Sequence, residues 1–131
     1  ARVRSAWEWC GAQIFELTPA EHDQVFAAVS HLPHLLSFAL VHDLAVRDNR
    51  ELFFTFAASG FRDFTRIAAS HPEMWRDISL ANRQALINEL DRYQAQLTEM
   101  RGALAAGDGQ RLEEIFDTAR TARRAWAEGQ K

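Results

Sequence analysis

The five histidines of this chain are the side chains whose type and spacing most directly suggest chemistry. His31 and His34 are three residues apart, so a helix would place both on one face. Imidazole and carboxylate are ligands for zinc, iron or manganese, which makes His31, His34 and nearby Asp23 a candidate metal site. Pro33 would distort that geometry, and no further acid or cysteine completes the set. Ordinary structural roles for the histidines therefore stay open, and we expect no metal.

Two His-Asp pairs, His22-Asp23 and His42-Asp43, suggest a second enzymatic class. Such pairs resemble those of helical metal-dependent phosphohydrolases, in which an ion activates water. A metal-dependent phosphohydrolase is therefore one alternative interpretation of the function.

The residues from 60 to 66 form a candidate anion site. Arg66 is the preferred binder, because its planar guanidinium can hold a carboxylate through two parallel hydrogen bonds. Asp63 could orient a neighbouring arginine, and the start of a helix would add favourable charge. Spacing alone equally allows these arginines to be solvated or paired with surface acids.

Helix signals predict two long helices. Thr18, Pro19 and Glu21 predict a capped helix start, and an apolar face continues past Pro33, where we expect a kink. Residues 70–73 repeat the capping pattern and predict a second long helix. Its later part carries a seam suited to a partner helix, made of Leu86, Leu90, Tyr93, Leu97, Met100 and Leu104.

The remaining segments complete an all-α fold. Residues 107–109 predict a turn between the two helices of a C-terminal helical hairpin. Residues 49–70 predict two short helices split at Gly60, and residues 12–17 predict a short extended stretch. The prediction is a helical bundle with two long helices, one kinked at Pro33.

Composition limits the function classes. The 131 residues, 47% hydrophobic and 25% charged, predict one folded domain over 1–131. A net charge of −3 argues against nucleic-acid binding, and the interrupted apolar runs predict no membrane span. The single Cys10 and the lack of a signal-peptide pattern favour a cytoplasmic protein. A start at Ala1 rather than Met suggests a piece of a longer chain.

Several blocks in order resemble the C-terminal half of the prephenate dehydrogenase family. They are Glu21-His22-Asp23, Ser30-His31-Leu32-Pro33-His34, Ser59-Gly60-Phe61-Arg62-Asp63-Phe64-Thr65-Arg66-Ile67-Ala68 and Pro72-Glu73-Met74-Trp75-Arg76-Asp77-Ile78. The resemblance covers effectively the whole chain. It implies an all-helical domain that dimerises and supplies part of the prephenate site, beside an N-terminal Rossmann domain that binds NAD or NADP and is absent here.

The resemblance also implies roles for individual residues. Arg66 would bind a carboxylate of prephenate or arogenate. His22, His31 and His34 would lie on or near the substrate cleft. The other assigned residues are Gly60 and Asp63 at the wall of the cleft and Trp75 where the partner subunit of a homodimer approaches.

The catalytic histidine of the family lies in the absent domain, so no residue here is expected to be catalytic or to bind the cofactor. The six glycines form no GxGxxG pattern, in keeping with that absence. The family often has two glycines where this chain has Gly60 alone, which leaves the local turn and any inhibition by tyrosine open. A further alternative is a helical module that senses an aromatic amino acid without catalysis.

Overall fold

A computed structural model describes residues 2–129, and all regular structure in that range is helical. Within it, eight α-helices follow one another along the chain. They are α1 (Arg2–Trp9), α2 (Pro19–Phe26), α3 (Leu32–Ala45), α4 (Arg50–Thr55), α5 (Ser59–Thr65), α6 (Pro72–Ala81), α7 (Arg83–Ala106) and α8 (Gly109–Glu128). A π-helical segment, Ala27–His31, joins α2 to α3, and a 3₁₀ turn, Arg66–Ala69, follows α5. The all-α prediction is confirmed.

The predicted start of α2 is confirmed in detail. The Thr18 hydroxyl accepts a hydrogen bond from the Glu21 backbone N–H, and the Glu21 carboxylate accepts one from the Thr18 backbone N–H at 2.8 Å. The Thr18 hydroxyl also donates to this carboxylate at 2.7 Å. The backbone N–H and the hydroxyl of Thr18 together hold the pKa of Glu21 below its usual value, because both hydrogen bonds favour the charged carboxylate. The helix therefore begins at a complete capping box.

The predicted kink at Pro33 takes the form of the π-helical segment. Proline lacks a backbone N–H and its ring crowds the preceding turn, so regular α-helical hydrogen bonding cannot pass through it. The wider segment Ala27–His31 comes directly before α3, in which Pro33 is one of the first two residues. The helical run from Pro19 to Ala45 thus continues for 27 residues.

That run changes one expectation drawn from the sequence. By length and composition, Pro19–Ala45 is the one helix in residues 2–129 that could cross a membrane, although the interrupted apolar runs predict none. Pro33 interrupts the apolar run without ending the helix, which explains the difference. Length and composition alone carry little weight, since core helices and signal sequences meet the same condition.

The structure differs from the sequence-based prediction in several details. Residues 2–9 form α1, which the sequence did not predict, and residues 12–18, where a short extended stretch is predicted, contain neither helix nor strand. The short helices separate at residues 56–58, so Gly60 lies inside α5. The second long helix is interrupted at Asn82, which ends α6, and α6 begins after His71 without a side-chain cap from Ser70.

The chain divides into two compact units, Ala1–Glu89 and Leu90–Lys131, with the boundary inside α7. In the first unit α3 is the central element and packs against α5 and the 3₁₀ turn. The hydroxyl of Ser37, which is 0% exposed, donates to the Phe64 carbonyl at 3.3 Å. This contact ties α3 to the segment that carries residues 60–66.

The second unit contains the predicted helical hairpin. Gly107 has a φ of +66° and ends α7, and the Asp108 side chain accepts a hydrogen bond from the Arg111 backbone N–H at 2.9 Å to begin α8. Arg111 also donates to Glu99 across the hairpin at 3.0 Å. The apolar seam is only partly buried here, because Leu104 remains 65% exposed.

Candidate functional site

Three of the predicted site residues meet between α6 and the start of α3. The ring of Trp75 stacks on His34, with 3.5 Å between ring centroids and 18° between planes. His31 meets the same indole edge-on, with centroids 6.2 Å apart. A fourth residue, Asn82, reaches His31 from the break between α6 and α7. We call His31, His34, Trp75 and Asn82 the histidine–tryptophan cluster.

Hydrogen bonds give the two histidines opposite roles. His34 Nδ1 lies 2.9 Å from the Ser30 carbonyl, which can only accept, so Nδ1 carries the proton. His31 Nδ1 lies 3.2 Å from the Asn82 side-chain nitrogen, which can only donate, so Nδ1 of His31 is unprotonated. In their neutral forms, His31 therefore carries its proton on Nε2, and His34 leaves Nε2 as an acceptor.

The surroundings of His31 favour its neutral form. Partial burial lowers the pKa of His31 below 6.5, and the nearby His22 and His34 lower it further. The carboxylate of Asp23 acts in the opposite direction but does not outweigh burial. At neutral pH, His31 is thus an uncharged hydrogen-bond donor.

Trp75 carries a buried polar group. The side chain is 9% exposed, and its Nε1 has no hydrogen-bond acceptor within residues 2–129. An unpaired buried donor costs free energy, so this N–H lowers the stability of the fold. Trp75 also borders an open recess of about 200 Å³, lined in addition by Leu35, Phe38, Pro72, Arg76 and Ser79.

The segment from Gly60 to Arg66 lies on the surface of the first unit. Arg66 is exposed at the start of the 3₁₀ turn and forms no hydrogen bond or ion pair through its side chain with any residue from 2 to 129. Asp63 is also exposed and is paired with no arginine in the described range, contrary to the expectation that it orients one. Gly60 is exposed within α5, and the position that a methyl group would occupy there has no neighbouring atom within 4 Å.

His22 lies apart from the contacts of the histidine–tryptophan cluster, on the exposed side of α2. Its ring packs against Phe26 at 4.5 Å between centroids, and its Nδ1 is 3.2 Å from an Asp23 carboxylate oxygen. It borders an open, largely apolar groove of about 850 Å³. The other lining residues are Gln13, Phe15, Leu17, Pro19, Val25 and Phe26.

The phosphohydrolase alternative finds no support in this geometry. Asp43 pairs with Arg47 rather than with His42. Within residues 2–129, no three histidine, cysteine, aspartate or glutamate side chains come together as a possible metal site. The His-Asp pairs are separate surface features.

Comparison with known proteins decides the family. A family model described as "Prephenate dehydrogenase, dimerization domain" matches residues 18–118. The chain belongs to this family. The match includes every residue of the histidine–tryptophan cluster and Arg66, so the resemblance drawn from the sequence blocks is confirmed at the level of the family.

Two relatives of the prephenate dehydrogenase family are identical to this chain at more than a third of the aligned positions. A cyclohexadienyl dehydrogenase from Zymomonas mobilis is 38% identical over 127 residues, which are 95% of this chain and 43% of the relative. A prephenate dehydrogenase from Bacillus subtilis is 39% identical over 120 residues, or 91% of this chain and 32% of the relative. The chain therefore spans less than half the length of these relatives.

Solved structures of the family have the same fold. An arogenate dehydrogenase from Synechocystis matches 95% of this chain with a TM-score of 0.87 and 30% identity, over 46% of its own chain. A prephenate dehydrogenase from Aquifex aeolicus, in complex with hydroxyphenyl propionate and NAD+, matches 93% of this chain with a TM-score of 0.87 and 35% identity, over 43% of its own.

Sequence reasoning missed Asn82. A single asparagine within an apolar helical pattern signals only a weak helix former, and its partners lie more than fifty positions away. Of the predicted residues, the structure brings together His31, His34 and Trp75. It leaves His22, Gly60, Asp63 and Arg66 on exposed surface.

Proposed function

We propose that this chain is the C-terminal domain of a prephenate or arogenate dehydrogenase, contributing substrate binding and dimerisation to the NAD(P)-dependent oxidative decarboxylation of prephenate to 4-hydroxyphenylpyruvate. The observation that carries the proposal is the histidine–tryptophan cluster inside the segment that the family model matches. It combines the stacked rings of His34 and Trp75 with a neutral hydrogen-bond donor, His31. Such a surface suits a cyclic substrate with a hydroxyl and carboxylates.

Arg66 is the proposed carboxylate clamp. Its guanidinium has no ion-pair partner in the part of the chain that the structure describes, so a substrate carboxylate would not have to displace an internal one. The same proposal puts Gly60 and Asp63 at the wall of the site, His22 at its edge and the histidine–tryptophan cluster at its floor. Tyrosine, which combines a phenol ring with a carboxylate, is a proposed inhibitor of this site.

The cofactor belongs to a part of the enzyme outside this chain. Pyrophosphate binding in Rossmann domains needs a glycine-rich turn between a strand and a helix. Residues 2–129 contain no strand, and the glycines of the chain form no such turn, so these residues do not fit NAD or NADP. The share of this domain in the reaction is to bind and orient the substrate, in a cytoplasmic enzyme.

Dimerisation is proposed from the exposed apolar surface. In the second unit, Leu104, Phe116 and Trp126 are each more than half exposed. A self-complementary contact between two copies would cover such residues. Light scattering of the chain should give a dimer, and a monomer at high concentration would contradict this proposal.

The clamp is tested in the enzyme assembled with its nucleotide-binding domain. Arg66→Ala should raise the KM for prephenate about ten- to a hundredfold, since a hydrogen bond to a charged group contributes about 1.5–3 kcal/mol. Arg62→Ala is the matched control, because Arg62 is an exposed arginine on the preceding turn. An unchanged KM in Arg66→Ala would contradict the assignment of Arg66 as the carboxylate clamp.

Calorimetry with tyrosine and with prephenate distinguishes a domain that binds the substrate from a module that only senses an aromatic amino acid.

A further inference from the structure

Asn82 interrupts the helical run at the point where its side chain reaches back to α2. Its backbone has a φ of −105° and a ψ of 33°, outside the helical region. The break is not caused by lost backbone bonding, since the Asn82 N–H still donates to the Ile78 carbonyl and the Leu86 N–H donates to the Asn82 carbonyl, both at 3.1 Å. The feature that distinguishes Asn82 from its neighbours in the helix is therefore its amide side chain.

The orientation of the amide follows from its partners. The Asn82 side-chain nitrogen lies 2.7 Å from the backbone carbonyl of Asp23, which can only accept a hydrogen bond. The same NH₂ group has a second hydrogen, and it lies 3.2 Å from His31 Nδ1. The amide thus donates to both groups at once. Turning it over would place two acceptors against each other at Asp23.

The second hydrogen bond determines which nitrogen of His31 carries the proton. A ring nitrogen that accepts a hydrogen bond cannot also be protonated, so the proton of neutral His31 is on Nε2. The titratable groups that act on His31 are His22, His34 and Asp23. His22, His34 and partial burial all disfavour the charged ring. The hydrogen bond from the Asn82 amide also favours neutral His31, so it acts in the same direction as these surroundings.

We propose that Asn82 is a positioning residue, which holds His31 as an Nε2–H hydrogen-bond donor for the substrate. The inference rests on the proposed function in that it assigns the donor to the prephenate site. It makes Asn82 the link between the α6–α7 break and the π-helical segment that carries His31. Asn82 itself does not contact the reacting atoms.

The first test concerns the chain without substrate and needs no altered residue. Nitrogen NMR of the histidine rings in the full chain should show His31 protonated on Nε2 at neutral pH. A proton on Nδ1 would overturn the proposal whether or not prephenate binds. Failure here is therefore distinct from failure of the proposed function.

The second test changes the partner of His31. In Asn82→Asp, a carboxylate that only accepts replaces the donor, and its charge favours the protonated ring, so the pKa of His31 should rise from its lowered value. Asn88→Asp adds the same charge to an exposed position on α7 and should leave the pKa of His31 nearly unchanged. Equal rises in both variants would show a general charge effect and would overturn the role of Asn82.

The third test is the pH profile of the full enzyme. Asn82→Asp should move the change in kcat/KM that accompanies protonation of His31 to higher pH. Asn82→Ala should raise KM more than it lowers kcat, because neutral His31 can then carry its proton on Nδ1 and lose the donor at Nε2. A merely structural residue would lower the amount of folded enzyme and leave the shape of the profile unchanged. An unshifted profile, with His31 still protonated on Nε2 in the unaltered chain, would contradict a role in substrate binding.

Discussion

His34 and Trp75 stack nearly parallel, with 3.5 Å between ring centroids, although 41 positions separate them in the sequence. The stack joins the start of α3 to α6 and buries an indole whose Nε1 has no acceptor within residues 2–129. By resemblance, Trp75 was expected to face a partner subunit. Its side chain is only 9% exposed in its own chain and its N–H is buried, so any contact with a partner is confined to the small remaining surface.

Two substitutions separate the ring of Trp75 from its N–H. Trp75→Ala should lower the free energy of unfolding by about 3–5 kcal/mol, because it leaves a cavity against both histidines. Trp75→Phe keeps an aromatic face on His34 and removes an unpaired donor, so it should lower the free energy of unfolding by clearly less than Trp75→Ala does. Urea denaturation measures both. If the two variants were equally unstable, the indole N–H would have an acceptor that this geometry does not show.

A second prediction concerns acid stability. The pKa of His31 is lower in the folded state than its usual 6.5, so the unfolded chain binds more protons between those two values. The free energy of unfolding should therefore fall as the pH is lowered through 6.5 towards the folded pKa. Above pH 6.5, protonation of His31 should not lower the free energy of unfolding.

His31→Gln removes the titrating group and should flatten the fall in stability below pH 6.5. The matched control is His42→Gln, at an exposed histidine on α3, which should keep the fall. Thermal unfolding at a series of pH values between about 5 and 8 makes the comparison. A fall of the same size in His31→Gln as in the unaltered chain would assign the effect to other groups.

Features whose partners are close in sequence could be predicted. The capping box at Thr18, the disturbance at Pro33 and the turn at Gly107 each depend on residues within one or two helical turns. These three predictions are confirmed because local chemistry determines the start, the irregularity and the end of a helix. The family blocks also contain His31, His34 and Trp75, whose roles in substrate binding stay predictions.

Features that depend on distant contacts could not be predicted. The break at Asn82 coincides with hydrogen bonds to residues 59 and 51 positions earlier, and no local pattern indicates them. The separation of α4 from α5 at residues 56–58 rather than at Gly60 has a simpler cause. Gly60 has no positive φ and is tolerated inside a short helix, so glycine there did not mark a turn.

Ser37 allows a third prediction, on the packing of α3. The residue is fully buried and donates to the Phe64 carbonyl. Ser37→Ala should cost about 1 kcal/mol, the net contribution of one such bond. Ser37→Val should cost about 1–3 kcal/mol, because extra methyl groups must be forced into a packed site. Urea denaturation distinguishes the two, and a valine variant as stable as the alanine variant would show that the site has room.

The two glycines near the end of α7 should respond in opposite directions to the same substitution. Gly107 has a φ of +66°, which an alanine adopts only with strain, so Gly107→Ala should lower the free energy of unfolding by about 1 kcal/mol. Gly102 is exposed inside α7, and a methyl group there meets nothing within 4 Å. Gly102→Ala should therefore raise the free energy of unfolding by about 0.5–1 kcal/mol, because alanine loses less backbone freedom on folding. Urea midpoints with unchanged slopes would measure both effects, and a change of the same sign in both variants would mean that α7 does not end at Gly107.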